Sequence, residues 1–355
     1  MKILSSVLVL LFVVVANVTA QTGVADSTSA RENFFARTQR IADRIIEWRD
    51  RNPTVDTAYV QPLASRWMFT TSFNGAASSV EQNGTEEGDI GFHTELWSKS
   101  KYSFGLGARY RGLGASVSFN PFNVLGKNRD YDLTFNYYGE CIGFDLMYNR
   151  SHTLHGRFEV YVPADTVAGT SAQTLTEQIP QGTVGQRFLA ANAYYAFNGH
   201  RFSYAAAYDH TCLQRRSCGS ILLGGSLMDI RVRWKYDESA DDGSSSMTFR
   251  MAYFGLGAGY AHNFVIRDRW LINVSGLSEL VIVSHGRLDN GLTSRRFPRS
   301  DLPVIFVGRA AFVRHFKHSF VALTVFSTIA SIGKTDQLQM TNTKLNWSLI
   351  YGVKF

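Results

Sequence analysis

Lys344-Leu345-Asn346-Trp347-Ser348-Leu349-Ile350-Tyr351-Gly352-Val353-Lys354-Phe355 closes the chain, and its two-residue rhythm decides the fold. Leu345, Trp347, Leu349, Tyr351, Val353 and Phe355 form one apolar, largely aromatic face. Lys344, Asn346, Ser348, Ile350, Gly352 and Lys354 form the other, which is polar or small at all positions but Ile350. Successive side chains of a strand point to opposite faces, so this is a strand with one side turned to an apolar medium. A soluble sandwich also alternates, but its strands average roughly 5–6 residues, whereas a tilted strand crossing an outer membrane needs about 9–11.

Working back from this end, the same period recurs. Tyr102, Phe104, Leu106, Ala108 and Tyr110 alternate with Ser103, Gly105, Gly107, Arg109 and Arg111. Tyr131, Leu133, Phe135 and Tyr137 alternate with Asp130, Asp132, Thr134 and Asn136, and Met228, Ile230, Val232 and Trp234 with Asp229, Arg231, Arg233 and Lys235. Candidate strands cover 66–77, 88–98, 101–110, 113–120, 130–139, 141–150, 154–162, 187–197, 201–209, 219–235, 247–265, 270–286, 304–316, 319–331 and 342–355. That number is odd, while single-chain bacterial barrels have even numbers, so the expectation is an all-β, antiparallel transmembrane barrel of about 12 strands, within 10–14. Counting back from Phe355 puts Lys317-His318 and Ile266–Arg269 on the periplasmic side. The same parity puts Asn198-Gly199 outside and Pro163–Gln186 inside, contrary to the rule of short periplasmic turns and long outer loops, and points to a miscounted strand near Cys212.

The front of the chain reads differently. Lys2, the apolar stretch Ile3–Val15 and Val18-Thr19-Ala20 have the order of a cleaved signal peptide over residues 1–20, with Gln21 starting the mature chain. Residues 21–56 form a tether in which Phe34, Ile41, Ile45 and Trp48 recur at helical offsets and Pro53 is a stop, so an amphipathic helix is expected over 31–52. The barrel domain then runs over 57–355. After the signal no stretch approaches the ~18 apolar residues of a spanning helix; Leu277–Val283 is broken by Ser278 and Glu279.

Composition agrees with β structure: 25 Phe, 16 Tyr and 30 Gly stand beside only 7 Pro. The formal charge of +7 falls to +6 when Lys2 leaves with the signal. No basic run has the spacing of a nucleic-acid motif, so the expected partners are outer-membrane lipid and lipopolysaccharide. Arg109, Arg111, Arg231, Arg233 and Lys235, with Arg250 and Arg309, fall on the face opposite the lipid. They either line a cationic lumen or pair with interior Asp130, Asp132 and Asp229 and fill a narrow barrel. Cys212 and Cys218 are close enough in sequence to close a short disulfide loop, the alternative being free thiols.

No catalytic, cofactor or metal residues are assigned. Gly224-Gly225-Ser226-Leu227 falls short of a nucleophile elbow, and Asp209-His210 is the weak place to look for an enzyme acting on lipid, peptide or glycan. His152 and His155, like His315 and His318, are three apart and so on opposite faces of a strand. Gly255-x-Gly257-x-Gly259 lacks the strand-turn-helix setting of a dinucleotide site and reads as a curved barrel strand. The leading expectation is a non-enzymatic envelope barrel, either a narrow passage for small anionic solutes or a structural and surface-interaction protein.

Two resemblances sharpen this. Trp347-x-Leu349-x-Tyr351-x-Val353-x-Phe355 resembles the C-terminal signature read by the barrel-assembly machinery, a further expected partner. Three internal stretches resemble the outer-membrane family known as domain of unknown function 4421: Asp56-Thr57-Ala58-Tyr59-Val60, Gln214–Ser220 with Leu223-Gly224-Gly225-Ser226, and Gly257–Asn263. The likeness covers about residues 56–355. It implies an outer-membrane barrel and brings no substrate, catalytic residue or cofactor. The family usually carries a small residue where Cys218 stands, which speaks against a structural disulfide.

Overall fold

The computed structural model describes residues 55–355 except 66, 87–89, 99–100, 111, 122–129, 165–171, 236–245, 268, 290–293, 297–303 and 335–337. The signal peptide, the helix expected over 31–52 and Arg111 lie outside the described residues. In chain order the strands are β1 (Val60–Pro62), β2 (Trp67–Glu86), β3 (Ile90–Ser98), β4 (Lys101–Tyr110), β5 (Leu113–Phe119), β6 (Tyr131–Tyr138), β7 (Ile142–Val162) and β8 (Gln173–Ala196). They continue with β9 (Cys212–Gln214), β10 (Cys218–Lys235), β11 (Ser246–Ile266), β12 (Trp270–Asp289), β13 (Ser294–Arg296), β14 (Val304–His315), β15 (Ser319–Lys334) and β16 (Leu338–Lys354).

Antiparallel pairing closes a ring through β2, β4, β5, β6, β7, β8, β10, β11, β12, β14, β15 and β16, which returns to β2. These are twelve wall strands. The backbone groups of Trp67 and Phe355 exchange hydrogen bonds at 2.9 and 3.3 Å and seal the seam at what we call the near rim. The barrel has the twelve or so wall strands expected from sequence, and among the described residues the fifteen candidate segments reduce to that number in three places. Residues 141–150 and 154–162 are one strand, β7, interrupted by a register irregularity between Ser151 and Gly156. Segment 88–98 is β3, which stacks above β4 in one column along β2. Segment 201–209 is no strand at all: a short π-helical turn over Ala205–Asp209 stands there, inside the barrel. With these corrections Asn198-Gly199 joins the turns at Ile266–Trp270 and Phe316–Ser319 at the near rim, and the connection after Pro163 moves to the far rim.

The wall has two tiers. Near the Phe355 end, the β5–β6 hairpin separates the β3–β4 column from β7; above that hairpin β3 pairs directly with β7 and the wall is two strands narrower. Outward residues of the near tier make a broad apolar belt, including Phe104, Leu227, Phe254, Leu256, Leu323 and Leu349. Such a band, with aromatic residues at its edge, matches the hydrocarbon core of a bilayer. At the near rim Trp67 lies against Tyr110, Phe69 against Phe355, and Trp270 against Phe312.

Farther along, the polarity of the faces reverses. On β10, Ile221, Leu223 and Leu227 point outward, whereas Met228, Ile230, Val232 and Trp234 point inward and are buried. Arg231 and Arg233 are therefore exposed on the outer surface, and so is Arg250 on β11. This corrects the lumenal placement expected from alternation alone. The physical cause is the medium: inside the bilayer the outer face must be apolar, but beyond it that face meets water and the interior must supply the core. Val80, Leu96, Leu154, Phe188, Ile230 and Met251 belong to that far-tier core. The side chain of Lys235 is not among those described.

Candidate functional site

The lumen is layered. At the near rim it holds the segment between β8 and β10, which enters the barrel as a plug. Phe202, Ala206 and Ala207 are fully buried and pack with Leu271, Val313 and Phe320 of the wall. Three consecutive alanines let the turn approach the wall closely. Its end is fixed by His210, whose backbone is left-handed (φ 60°) and whose N–H bonds back to the Ala205 carbonyl.

The three sequence stretches that carry the family resemblance meet at the mount of this plug. β1 pairs with β9, setting Val60 opposite Gln214. The Gln214 amide nitrogen shares its two hydrogens among the carbonyls of Arg201 (2.6 Å), Arg216 (3.1 Å) and Tyr59 (3.3 Å), while its oxygen accepts from Ser203 N (3.1 Å) and Asn263 Nδ2 (3.0 Å). Asn273 Nδ2 donates to Asn263 Oδ1 (2.7 Å), and Tyr208 of the plug donates to Asn273 Oδ1 (2.8 Å). Outside this buried chain, Arg201 and Arg216 lie over the Tyr59 ring at 5.1 and 5.7 Å, and Arg201 pairs with Asp56 at 3.2 Å. Buried amides of this kind persist because every polar atom has a partner, and the network fixes one plug position.

A polar layer lies above the plug. Arg109 points into the lumen and is ion-paired with Asp209 of the plug. Arg309 pairs with Asp145 at 2.7 Å, and Tyr138 donates to the same carboxylate. Lys101 reaches Asp132 at 3.4 Å, and Ser226 lies 2.8 Å from Asn192 Oδ1 and 2.9 Å from Glu279 Oε1. Of the anions expected to neutralise the lumen, Asp132 does so and Asp130 is held by the His152 N–H (2.8 Å), but Asp229 is on the outer surface against Arg250. Asp145, Asp209 and Glu279 are the interior anions that periodicity missed. The first two could be traced only by knowing where Arg309 and Arg109 end. A cavity of about 250 Å³ remains in this layer, touching Arg109, Asp132, Asp145, Tyr208, His210 and Lys344. It is smaller than the roughly 300–1,000 Å³ of ordinary ligand pockets. Above it the Lys344 ammonium sits 3.7 Å from the centre of the Phe188 ring, where the far-tier core begins.

The Asp209-His210 pair does not form a catalytic dyad. Asp209 is turned to Arg109 and to Thr211 (2.9 Å), and fully buried His210 stacks 3.8 Å from Phe320 with no hydrogen bond to either ring nitrogen. The Cys212–Cys218 disulfide is likewise corrected: all three cysteines are free. The Cys212 thiol lies against Ser203 Oγ (3.1 Å), whereas Cys218 accepts from Asn198 (3.2 Å). Among the described residues no three His, Cys, Asp or Glu side chains converge as a metal site. Trp347, Leu349, Tyr351, Val353 and Phe355 all lie on the outer face of the closing strand, and Lys354 points inward to His315 (2.9 Å).

The family described as "Domain of unknown function (DUF4421)" matches residues 54–355. No curated protein matches the chain. Among solved structures, it is similar to the outer membrane protease OmpT from Escherichia coli (7% identity, 82% of this chain and 97% of that one, TM-score 0.45). It is also similar to the toluene transporter TodX of Pseudomonas putida (7%, 84% and 94%, TM-score 0.31) and to the COG4313 outer membrane channel from Pseudomonas putida F1 (11%, 83% and 97%, TM-score 0.30). At these scores neither proteolysis nor transport carries over to this chain.

Proposed function

The chain belongs to the DUF4421 family, and from that premise we propose that it is a closed, non-conducting and non-enzymatic outer-membrane barrel whose near rim faces the periplasm and whose far tier stands above the lipid as a rigid collar. Its role is structural or adhesive. The observation that carries this reading is the double closure of the lumen, by the plug at one rim and by the apolar core around Leu154, Phe188 and Met251 at the other. An open pore needs a continuous wet path, and a packed core of this kind excludes water. The paired state of Arg109 and Arg309 supports it as well, since a selectivity ring needs charges left free for the solute. The test is conductance of the purified full chain in planar bilayers, together with swelling of vesicles in small sugars and anionic solutes. No current steps and no swelling are expected. Ohmic steps at either sign of potential would overturn the reading.

A further inference from the structure

The outer surface carries a row of six arginines that the lumenal chemistry does not use. Register sets Arg150 on β7 opposite Arg187 on β8, Arg187 opposite Arg231 on β10, Arg231 opposite Arg250 on β11, Arg250 opposite Arg287 on β12, and Arg287 opposite Arg296 on β13. All six are exposed. Directly opposed residues on antiparallel strands stand about 4.5–5.5 Å apart, and like charges there repel. Two carboxylates answer this charge: Asp229 pairs with Arg250 at 3.1 Å and Asp289 with Arg287 at 3.9 Å. Arg150, Arg187, Arg231 and Arg296 have no ion pair among the described residues.

The row follows the far edge of the apolar belt. Toward the near rim, the first outward side chain that is a Phe, a Tyr or a large aliphatic is Tyr148 after Arg150, Leu189 after Arg187, Leu227 after Arg231, Phe254 after Arg250 (past the small Ala252) and Val283 after Arg287. The gap is two residues on β7 and β8 and four on β10, β11 and β12. That drift suits strands tilted by about 35–45°, because a row perpendicular to such strands climbs relative to the bilayer plane. Beyond the row the outer face is polar on β10 and β12, with Arg233 and Asp289, while on β3 and β7 it carries Arg157 and Glu159 together with exposed Trp97 and Tyr161.

We propose that this row binds the phosphate groups of an anionic lipid in the outer leaflet, the acyl chains lying against Leu227, Phe254 and Val283. Acyl chains end where the belt ends, so a lipid phosphate is delivered to the height of the guanidinium groups. Each group can hold it by two parallel N–H donors. The bound phosphates also remove the repulsion within the row. The proposal rests on the outer-membrane placement but not on whether the lumen conducts, so the conductance test and this one fail separately.

The full chain is reconstituted in phosphatidylcholine vesicles alone, with added bis-phosphorylated lipid A, with the same lipid A after enzymatic dephosphorylation, or with inorganic phosphate in the buffer. The temperature at which the folded, fast-migrating gel band is lost is then measured. A rise is expected with phosphorylated lipid A alone, shrinking as salt is raised. R187Q/R231Q should lose that rise, yet be at least as stable as the parent in phosphatidylcholine because neutralising the row removes repulsion. R314Q, at the near rim where Arg314 stacks on Trp270 at 4.6 Å, should keep the rise. An equal rise with dephosphorylated lipid or inorganic phosphate, or a rise retained in R187Q/R231Q, would overturn the proposal. If R187Q/R231Q does not fold, R187K/R231K decides: charge without the planar fork should give a smaller rise, and a full one refutes the site.

Discussion

Replacing Asp209 by alanine should loosen the plug without opening the barrel. Asp209 has 0% side-chain exposure and Arg109 has 13%, so the pair spans the boundary between plug and polar layer out of bulk water. Removing one member of a buried pair costs about 3–5 kcal/mol, because the remaining charge stays desolvated and unanswered. Here the value should fall near the lower end, about 3 kcal/mol, since Arg109 borders the 250 Å³ cavity, where hydration softens the penalty. Thr211 loses its acceptor at 2.9 Å, which adds about 1 kcal/mol. The R109A/D209A double variant removes both charges and should recover part of the loss, with a coupling of about 0.5–3 kcal/mol. Unfolding by denaturant in one fixed detergent, followed by tryptophan fluorescence and gel mobility, measures these differences. Conductance should stay at zero in both variants because the far-tier core is untouched. The reasoning fails if D209A costs less than about 0.5 kcal/mol, if the two single losses simply add, or if D209A alone conducts.

Three further outcomes are expected. At Gly257 a Cβ would run into the backbone carbonyl of Ser278, while at Gly276 nothing lies within 4 Å; G257V should therefore abolish the heat-modifiable form and G276A should leave it intact. Phe355 is 68% exposed on the outer face and touches Phe69 at 5.9 Å, so F355D should refold from urea into detergent nearly as well as the parent, losing about 1 kcal/mol or less. In cells it should accumulate far less folded barrel, and equal cellular yields would show that the terminus is not an assembly signal. Alkylation of the denatured chain without reductant should add three labels, one for each of Cys141, Cys212 and Cys218; a single label would restore the disulfide.

The twelve-strand ring was legible because each belt-crossing strand keeps a strict two-residue period; the Leu345–Phe355 face alone sets closure against Trp67. The plug was not. Phe202, Tyr204 and Ala206 alternate with Ser203, Ala205 and Ala207 much as a strand would, and only the absence of a partner strand betrays the segment, which is a tertiary fact. Arg231 and Arg233 were misplaced for a different reason. Alternation reports which residues share a face, not which face is inside, and that depends on whether the strand is still in lipid. A local signal was present: Leu227-Met228 sets two apolar residues side by side and shifts the apolar series from odd to even positions. Such a slip marks the place where a strand leaves the bilayer. The cluster around Gln214 was divided among three stretches 204 positions apart at the extremes, from Tyr59 to Asn263, and no periodicity connects them.

The loss of β5 and β6 from the upper wall gives the lumen a direction. A barrel's girth scales with its strand number, so the passage narrows by about a sixth on going from twelve columns to ten. The segment from Phe202 to His210 occupies the wider mouth and is tied to the wall at that mouth through Asn263 and Asn273. It is a stopper in the broad end of a cone. Tension applied from the near-rim side would draw it out, whereas a push from the same side only wedges it tighter. Mechanical force is thus resisted unequally along the axis, and any machinery meant to unseat the stopper would have to pull.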